Sequence, residues 1–196
     1  MAKIDSSEIK EQMVYVGRCT KVVKGGRRFS FSAVVVAGDG KGKCGIGSGK
    51  AVEVSNARSK AMQSAMRSMT RIPLREGRTI HHDVSAQFGG CKVIMRPAPA
   101  GTGVIAGGAV RALLEVLGLK DIVTKIIGTT NPHNALKAAM KALLSTQSPR
   151  FIAEKRNKSL VEILGSGNNE HFSKKSDADV AMNESPAANP AETTGA

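Results

Sequence analysis

The segment Cys44-Gly45-Ile46-Gly47-Ser48-Gly49 carries glycine at every second position. Alternate residues of an extended strand share a face, so one face of this segment has no side chains. A bare face suits the close approach of another backbone or a helix, and the segment therefore predicts a strand packed under such a neighbour. Two apolar runs precede it, Val22-Val23 and Phe29 through Ala37, separated by Lys24-Gly25-Gly26-Arg27-Arg28. Gly-Gly accepts the positive φ angles of a tight turn, so the two runs read as a hairpin with a basic tip. A second basic, glycine-rich turn follows at Gly38-Asp39-Gly40-Lys41-Gly42-Lys43. Phe29 and Phe31 alternate with Ser30 and Ser32, whereas Val34-Val35-Val36 is apolar on both faces, as in an interior strand.

The rest of the chain alternates helical and extended patterns. Glu11 to Val23 reads as the first strand. Ala51 to Met69 reads as a helix whose stripe of Val54, Ala57, Ala61, Ala65 and Met69 is widened by Met62 and Met66. Such spacing indicates core packing rather than a partner groove. Lys50, Arg58, Lys60 and Arg67 lie off the stripe. Ile72-Pro73-Leu74-Arg75-Glu76-Gly77-Arg78 sets proline against helix and glycine in a turn, which marks a domain boundary. Thr79 to Ser85 and Cys91 to Arg96 read as paired strands about a Phe88-Gly89-Gly90 turn, ended by Pro97 and Pro99. A glycine-rich loop, Gly101 to Gly108, leads into a helix from Ala109 to Leu117 with Leu113, Leu114 and Leu117 inward. Asp121 to Ile127 is a strand, and Asn131 and Pro132 cap and open a helix from His133 to Leu144. Its apolar face is Ala135, Leu136, Ala139, Met140 and Leu143, with Lys137 and Lys141 outside; Ser148-Pro149 then interrupts. The expectation is an α+β chain of two domains, 10–73 and 74–165, between a flexible arm over 1–9 and a disordered acidic tail over 166–196.

Charge narrows the function. Lys and Arg number 29 against 16 Asp and Glu, a net charge of +13. Beyond Gly167 the balance reverses, with two lysines against five acidic residues. Apart from Asp39, every charged residue from Val22 to Lys50 is Lys or Arg. Cations on turns, where they reach furthest, suit a polyanion better than a small substrate. No long apolar span, signal pattern or lipidation motif points to a membrane. Cys19, Cys44 and Cys91 are odd in number and far apart, which argues against a disulfide framework or zinc ribbon and fits reduced thiols in the cytoplasm. Five Phe, one Tyr and no Trp leave few platforms for base stacking, so contacts to phosphate, sugar and helix shape are expected.

Catalytic readings fare poorly. Gly101-x-Gly103-x-x-Ala106 fits the dinucleotide fingerprint, with Asp121 at about the right distance. Two prolines separate the preceding strand from the first glycine, however, and Asp121 opens the next strand where a ribose-binding acid should end it. Gly40-x-Gly42-x-x-Gly45 matches the bare pattern but runs into a strand instead of a helix, and no P-loop is present. His81 and His82, with Asp83 and Cys91, do not form a metal set, because neighbours on a strand point to opposite faces. No enzyme, cofactor or metal is expected.

Four motifs in series carry a resemblance: V-K-G-G-R-R-F-S-F (Val23 to Phe31), V-V-A-G-D-G-K-G-K-C-G-I-G-S-G-K-A (Val35 to Ala51), G-T-G-V-I-A-G-G (Gly101 to Gly108) and G-T-T-N-P-H-N (Gly128 to Asn134). The chain resembles the bacterial small-ribosomal-subunit protein five family over Lys10 to Gly165. The resemblance implies a double-stranded-RNA-binding-like domain followed by a two-layer α/β ribosomal domain. It implies a structural, cytoplasmic protein that binds small-subunit rRNA, supports assembly, neighbours small-subunit proteins four and eight, and lies where messenger RNA enters and decoding accuracy is influenced. The hairpin tip would match the family's loop at the head–body junction, near where spectinomycin acts. The RNA-contacting candidates are Lys21, Lys24, Gly25, Gly26, Arg27, Arg28, Lys41, Lys43, Lys50, Gly101, Thr102 and Gly103, and Gly103 and Arg111 would face protein four. The alternative reading is an RNA-binding module or RNA chaperone outside the ribosome. Cys19, Cys44 and the acidic extension depart from the family pattern.

Overall fold

The computed structural model of the chain describes residues 9–164. The expected arm over 1–9, apart from residue 9, and the expected tail over 166–196 lie outside the described residues. The described residues up to Ser148 belong to one compact unit, and a second unit begins at Pro149.

The first sheet is antiparallel in the order β1 (Lys10–Val23), β2 (Gly26–Gly38), β3 (Lys43–Ala51) and β4 (Thr70–Arg71). Opposite the glycines of β3 the register sets Ala33, Val35 and Ala37 of β2, one residue against each of Gly49, Gly47 and Gly45. Helix α1 (Val54–Arg67) lies directly on this face. A β-carbon on Gly45, Gly47 or Gly49 would overlap the carbonyl oxygen of Ala65, Ala61 or Ala57 respectively. These three alanines are fully buried, so the closeness read from the glycine spacing is the packing found. The helix starts later than expected, because Ala51 still pairs with Phe31 in the sheet. Its buried stripe is also narrower, since Val54 and Met66 are exposed. A helix this close to backbone has room only for alanine at the contact.

The opposite face of β2 and β3 presents Val34, Val36 and Cys44 to the second half of the unit. Burial on both faces is why residues 33–37 read as an interior strand. There the core continues without a break into α2 (Gly108–Leu117) and α3 (Pro132–Leu144), through Leu113, Leu117, Leu136 and Leu143. The boundary expected after residue 73 is thus a change of sheet along the chain, while the packing is shared. Between the sheets, Arg75 and Thr79 bridge around a tight turn, with Glu76 and Gly77 at φ 54° and 64°.

The second sheet runs β5 (Val84–Phe88), β6 (Cys91–Pro97), β8 (Ile122–Gly128), β7 (Val104–Ile105), with β7 parallel to β8. The first of these strands starts later than the expected Thr79, because residues 79–83 form the bridge and bends that cross between sheets. Alternate residues Cys91, Val93 and Met95 are buried under the helices. Helix α2 is buried at Val110, Ala112, Leu113, Leu114, Val116 and Leu117, more widely than a one-sided stripe, because both lobes pack on it. Asn131 caps α3 as expected, its side chain accepting the His133 amide at 3.1 Å. The fold is α+β, as the sequence indicates.

In the second unit, α4 (Pro149–Arg156) ends at Asn157, whose φ of 50° lets the Lys158 amide reach the Ala153 carbonyl at 3.1 Å. Helix α5 spans Leu160–Leu164.

Candidate nucleic-acid interface

The hairpin of β1 and β2 pairs as far as Val23 with Gly26, so Lys24 and Gly25 form the two-residue turn and Gly26 takes φ 130°. The register sets Lys21 directly opposite Arg28 and Val22 opposite Arg27. Like charges facing each other across strands are destabilising in water. Lys21, Lys24, Arg27 and Arg28 are all exposed at one end of the hairpin. On the face that Arg27 shares, the Arg18 guanidinium sits 4.6 Å from the Phe29 ring centroid. The arrangement concentrates cations on a narrow projection whose self-repulsion a polyanion relieves.

The second basic turn is built differently. One oxygen of Asp39 accepts the Lys41 and Lys43 amides at 2.8 and 2.9 Å. Gly40 and Gly42 donate their amides to the carbonyls of Val116 and Leu117, both at 3.1 Å. The turn therefore docks on the C-terminal end of α2. Its amides are used within the protein and are not free to hold a phosphate. Lys41 and Lys50 are exposed and Lys43 half-buried in β3, next to Arg71 of β4.

The third glycine loop is likewise occupied internally. Gly101 and Gly103 donate their amides to Oδ1 of Asp121 at 2.9 and 3.1 Å. Arg78 donates to Oδ2 from Nε at 3.0 Å and from Nη2 at 2.8 Å. The Arg78 guanidinium, with the Gly103 amide next, holds the Asp121 carboxyl below the usual carboxylate range. Asp121 is the residue that the dinucleotide reading would have used for ribose; it secures the loop instead, and the amides a pyrophosphate needs are taken. Gly101 and Gly103 thus do not offer backbone donors to RNA, although Gly101 and Thr102 are exposed. Thr102 turns back, its hydroxyl donating to the Pro99 carbonyl at 2.9 Å.

Gly103 and Arg111 are brought together through the residue between loop and sheet. Gly103 leads into β7, and Arg111 on α2 donates from Nη2 to the Val104 carbonyl at 2.8 Å while its Nε lies 3.4 Å from Glu115. Sequence reasoning missed Arg78 altogether. Its only signal is the pairing of a lone buried acid with a distant cation.

The histidines serve the backbone. His82 Nε2 accepts the Gln147 amide at 3.2 Å, so the ring proton lies on Nδ1 and is donated to the Asp83 carbonyl at 2.9 Å. Burial, with help from Arg75 and His82, lowers the His81 pKa. Among the described residues no group of His, Cys, Asp and Glu is placed to hold a metal. No described helix is long and apolar enough to cross a membrane.

A basic projection on a continuous two-sheet core, with its glycine loops closed by internal bonds, is the frame of a structural nucleic-acid-binding protein. The family profiles agree. The ribosomal protein S5 N-terminal domain matches residues 9–73 and the ribosomal protein S5 C-terminal domain matches residues 86–156. The small ribosomal subunit protein uS5 of Paramagnetospirillum magneticum is 54% identical over 161 residues, 82% of this chain and 77% of its own length. That of Pelagibacter ubique is 55% identical over 156 residues, 80% of this chain and 92% of its own. The chain belongs to the ribosomal protein S5 family, whose members are structural proteins and not enzymes.

Proposed function

We propose that this S5-family chain works by pinning RNA at the β1–β2 hairpin and presenting the Gly103–Arg111 surface to a protein neighbour. It is a structural constituent of the small ribosomal subunit, binds its rRNA, and acts in translation in the cytoplasm. The observation that carries the hairpin's role is the register that sets Lys21 against Arg28 beside the Lys24 turn. Such a projection loses repulsion and releases condensed counterions when phosphates bind it. Lys41 and Lys50 add exposed cations, and Lys43 a half-buried one, elsewhere on the same sheet and its second turn. The partner at the second surface is small-subunit protein four; protein eight is a further neighbour, and messenger RNA enters nearby. Accuracy is tuned there only if those interfaces differ between subunit states.

Sedimentation of a cell lysate at low and high salt tests the assignment, with this protein followed by mass. Stoichiometric travel with the small subunit, resistant to moderate salt, is expected. Residence in the soluble fraction at both salts overturns it.

A further inference from the structure

The second sheet has α2 and α3 on one face, and on its other face most side chains of β6 and β8 are exposed among the described residues. On that face the register places Lys92 opposite Ile127, Ile94 opposite Lys125, and Arg96 opposite Val123. Ile105 of β7 stands beside Val123. Cations and β-branched aliphatics thus alternate both along and across the strands. Ile105 is 52% exposed and Ile127 47% exposed, as befits an uncovered surface. Among the described residues, neither Lys92 nor Lys125 has an ion-pair partner. Arg96 lies 3.2 Å from Asp83, but both side chains are more than 60% exposed, and such a pair contributes little in water.

We infer that this face is a second RNA-binding surface, which takes the sugar–phosphate backbone of structured RNA. Diagonal neighbours on an antiparallel sheet are about 7–8 Å apart. Lys92, Lys125 and Arg96 therefore form a zigzag of cations whose steps suit successive phosphates of one strand. Ile94, Val123 and Ile127 fill the gaps, where the apolar edges of riboses rest. The chemistry favours RNA over a protein. Lysine is depleted from the centres of protein–protein interfaces and aromatic anchors are enriched there. Here lysine is central, and no aromatic stands on this face among the described residues. Without aromatics, bases cannot stack, which leaves phosphate and ribose in the wide, shallow groove of A-form RNA. The inference rests on the RNA-binding reading above but uses a different sheet from the hairpin.

The test uses the complete chain. Lys92→Gln with Lys125→Gln changes only exposed side chains, and an unchanged denaturation midpoint confirms the fold. In filter binding to small-subunit rRNA over a range of salt, the slope of log affinity against log salt should fall by about 1.5, as leaving two phosphates without a cation requires. An unchanged slope overturns the inference. A hairpin variant run beside it separates the two claims, since either surface can fail alone. A photo-crosslinking residue at Ile127 in the assembled subunit gives the second readout. Crosslinks to rRNA support the inference; crosslinks to protein only, or to nothing, overturn it.

Discussion

Asp121 receives the Gly103 amide on one carboxylate oxygen at 3.1 Å while Arg78 holds the other, so a loop and an inter-sheet turn share one buried anion. Gly101 and Gly103 bend with φ of 95° and 78°, and no side chain of their own packs to hold them there. The loop's shape, and the placement of β7 and Arg111 after it, depends on the carboxylate. Replacing Asp121 with Asn removes the charge and turns an NH2 group toward donors. Removing a charged acceptor costs about 1–3 kcal/mol. Amide exchange at Gly101 and Gly103 should quicken by about tenfold or more, as an opening cost of that size implies, and the denaturation midpoint should fall. Exchange as slow as in the parent would remove Asp121 from this role.

The same carboxylate sets a pH dependence. Its folded pKa is depressed by Arg78 and the Gly103 amide, so the unfolded chain binds this proton more readily than the folded one. Its contribution to stability is full above the ordinary carboxylate pKa and is lost as pH falls through the depressed folded value. The stability gap between the parent and Asp121→Asn should therefore hold at neutral pH and shrink below about pH 4. Urea titrations of both proteins at several pH values check this, and a gap that widens on acidification would contradict it.

Gly47 of β3 and Gly25 of the hairpin should answer differently to the same substitution. On Gly47 a methyl group meets the Ala61 carbonyl and the Ala65 amide, both helix backbone, so α1 must lift. Overpacking of this kind costs about 3 kcal/mol. At Gly25 nothing lies within 4 Å of an added methyl, and the residue is not among those with positive φ. Gly25→Ala should leave stability within about 0.5 kcal/mol, as surface changes usually do. Chemical denaturation of the two variants distinguishes a spacing that serves packing from one that serves the turn.

That contrast shows what the sequence reveals and where it stops. A period of two in the glycines exposes the strand, its face and the helix above it, because the cause is local. The Lys-Gly-Gly-Arg-Arg tip is equally local. Asp121 is not, since its partners lie 18, 20 and 43 residues away along the chain. The internal use of Gly40 and Gly42 is hidden for the same reason: their acceptors are on α2. The two-residue strand β7 gains its identity from β8 alone. Ile80 is fully buried in an irregular segment, which is why alternation there reads as a strand. The open face of the second sheet is visible in the alternation of Cys91 to Arg96, but its exposure depends on where the helices pack.

Thiol chemistry follows burial. Cys44 is fully buried with its Sγ 3.8 Å from the Met140 sulfur, and burial, aided by the charge of Asp39, pushes its pKa up to about 12. Cys91 is also fully buried, and burial raises its pKa. The thiolate is the reactive form, so neither should alkylate in the folded protein. Cys19 is partly exposed on the hairpin. Mass spectrometry after iodoacetamide should find one modified cysteine in native protein, Cys19, and all three after denaturation. Native modification of Cys44 would show that the junction between the sheets opens readily.

The hairpin's own test turns on salt. Lys24, Arg27 and Arg28 are exposed at the tip and none packs into the core, so their replacement by Ala should leave the fold intact. Each phosphate left without its cation lowers the salt slope by about 0.7–0.9, so the triple variant should lose about 2.4 from the slope. Raising the salt should narrow the affinity gap between parent and variant, because counterion release is the driving term. Relieving the Lys21–Arg28 repulsion acts in the opposite sense on the free protein: Arg28→Ala alone should raise the denaturation midpoint slightly while weakening RNA binding. A variant that binds worse with an unchanged slope would mean the tip is read by shape, with its charges incidental.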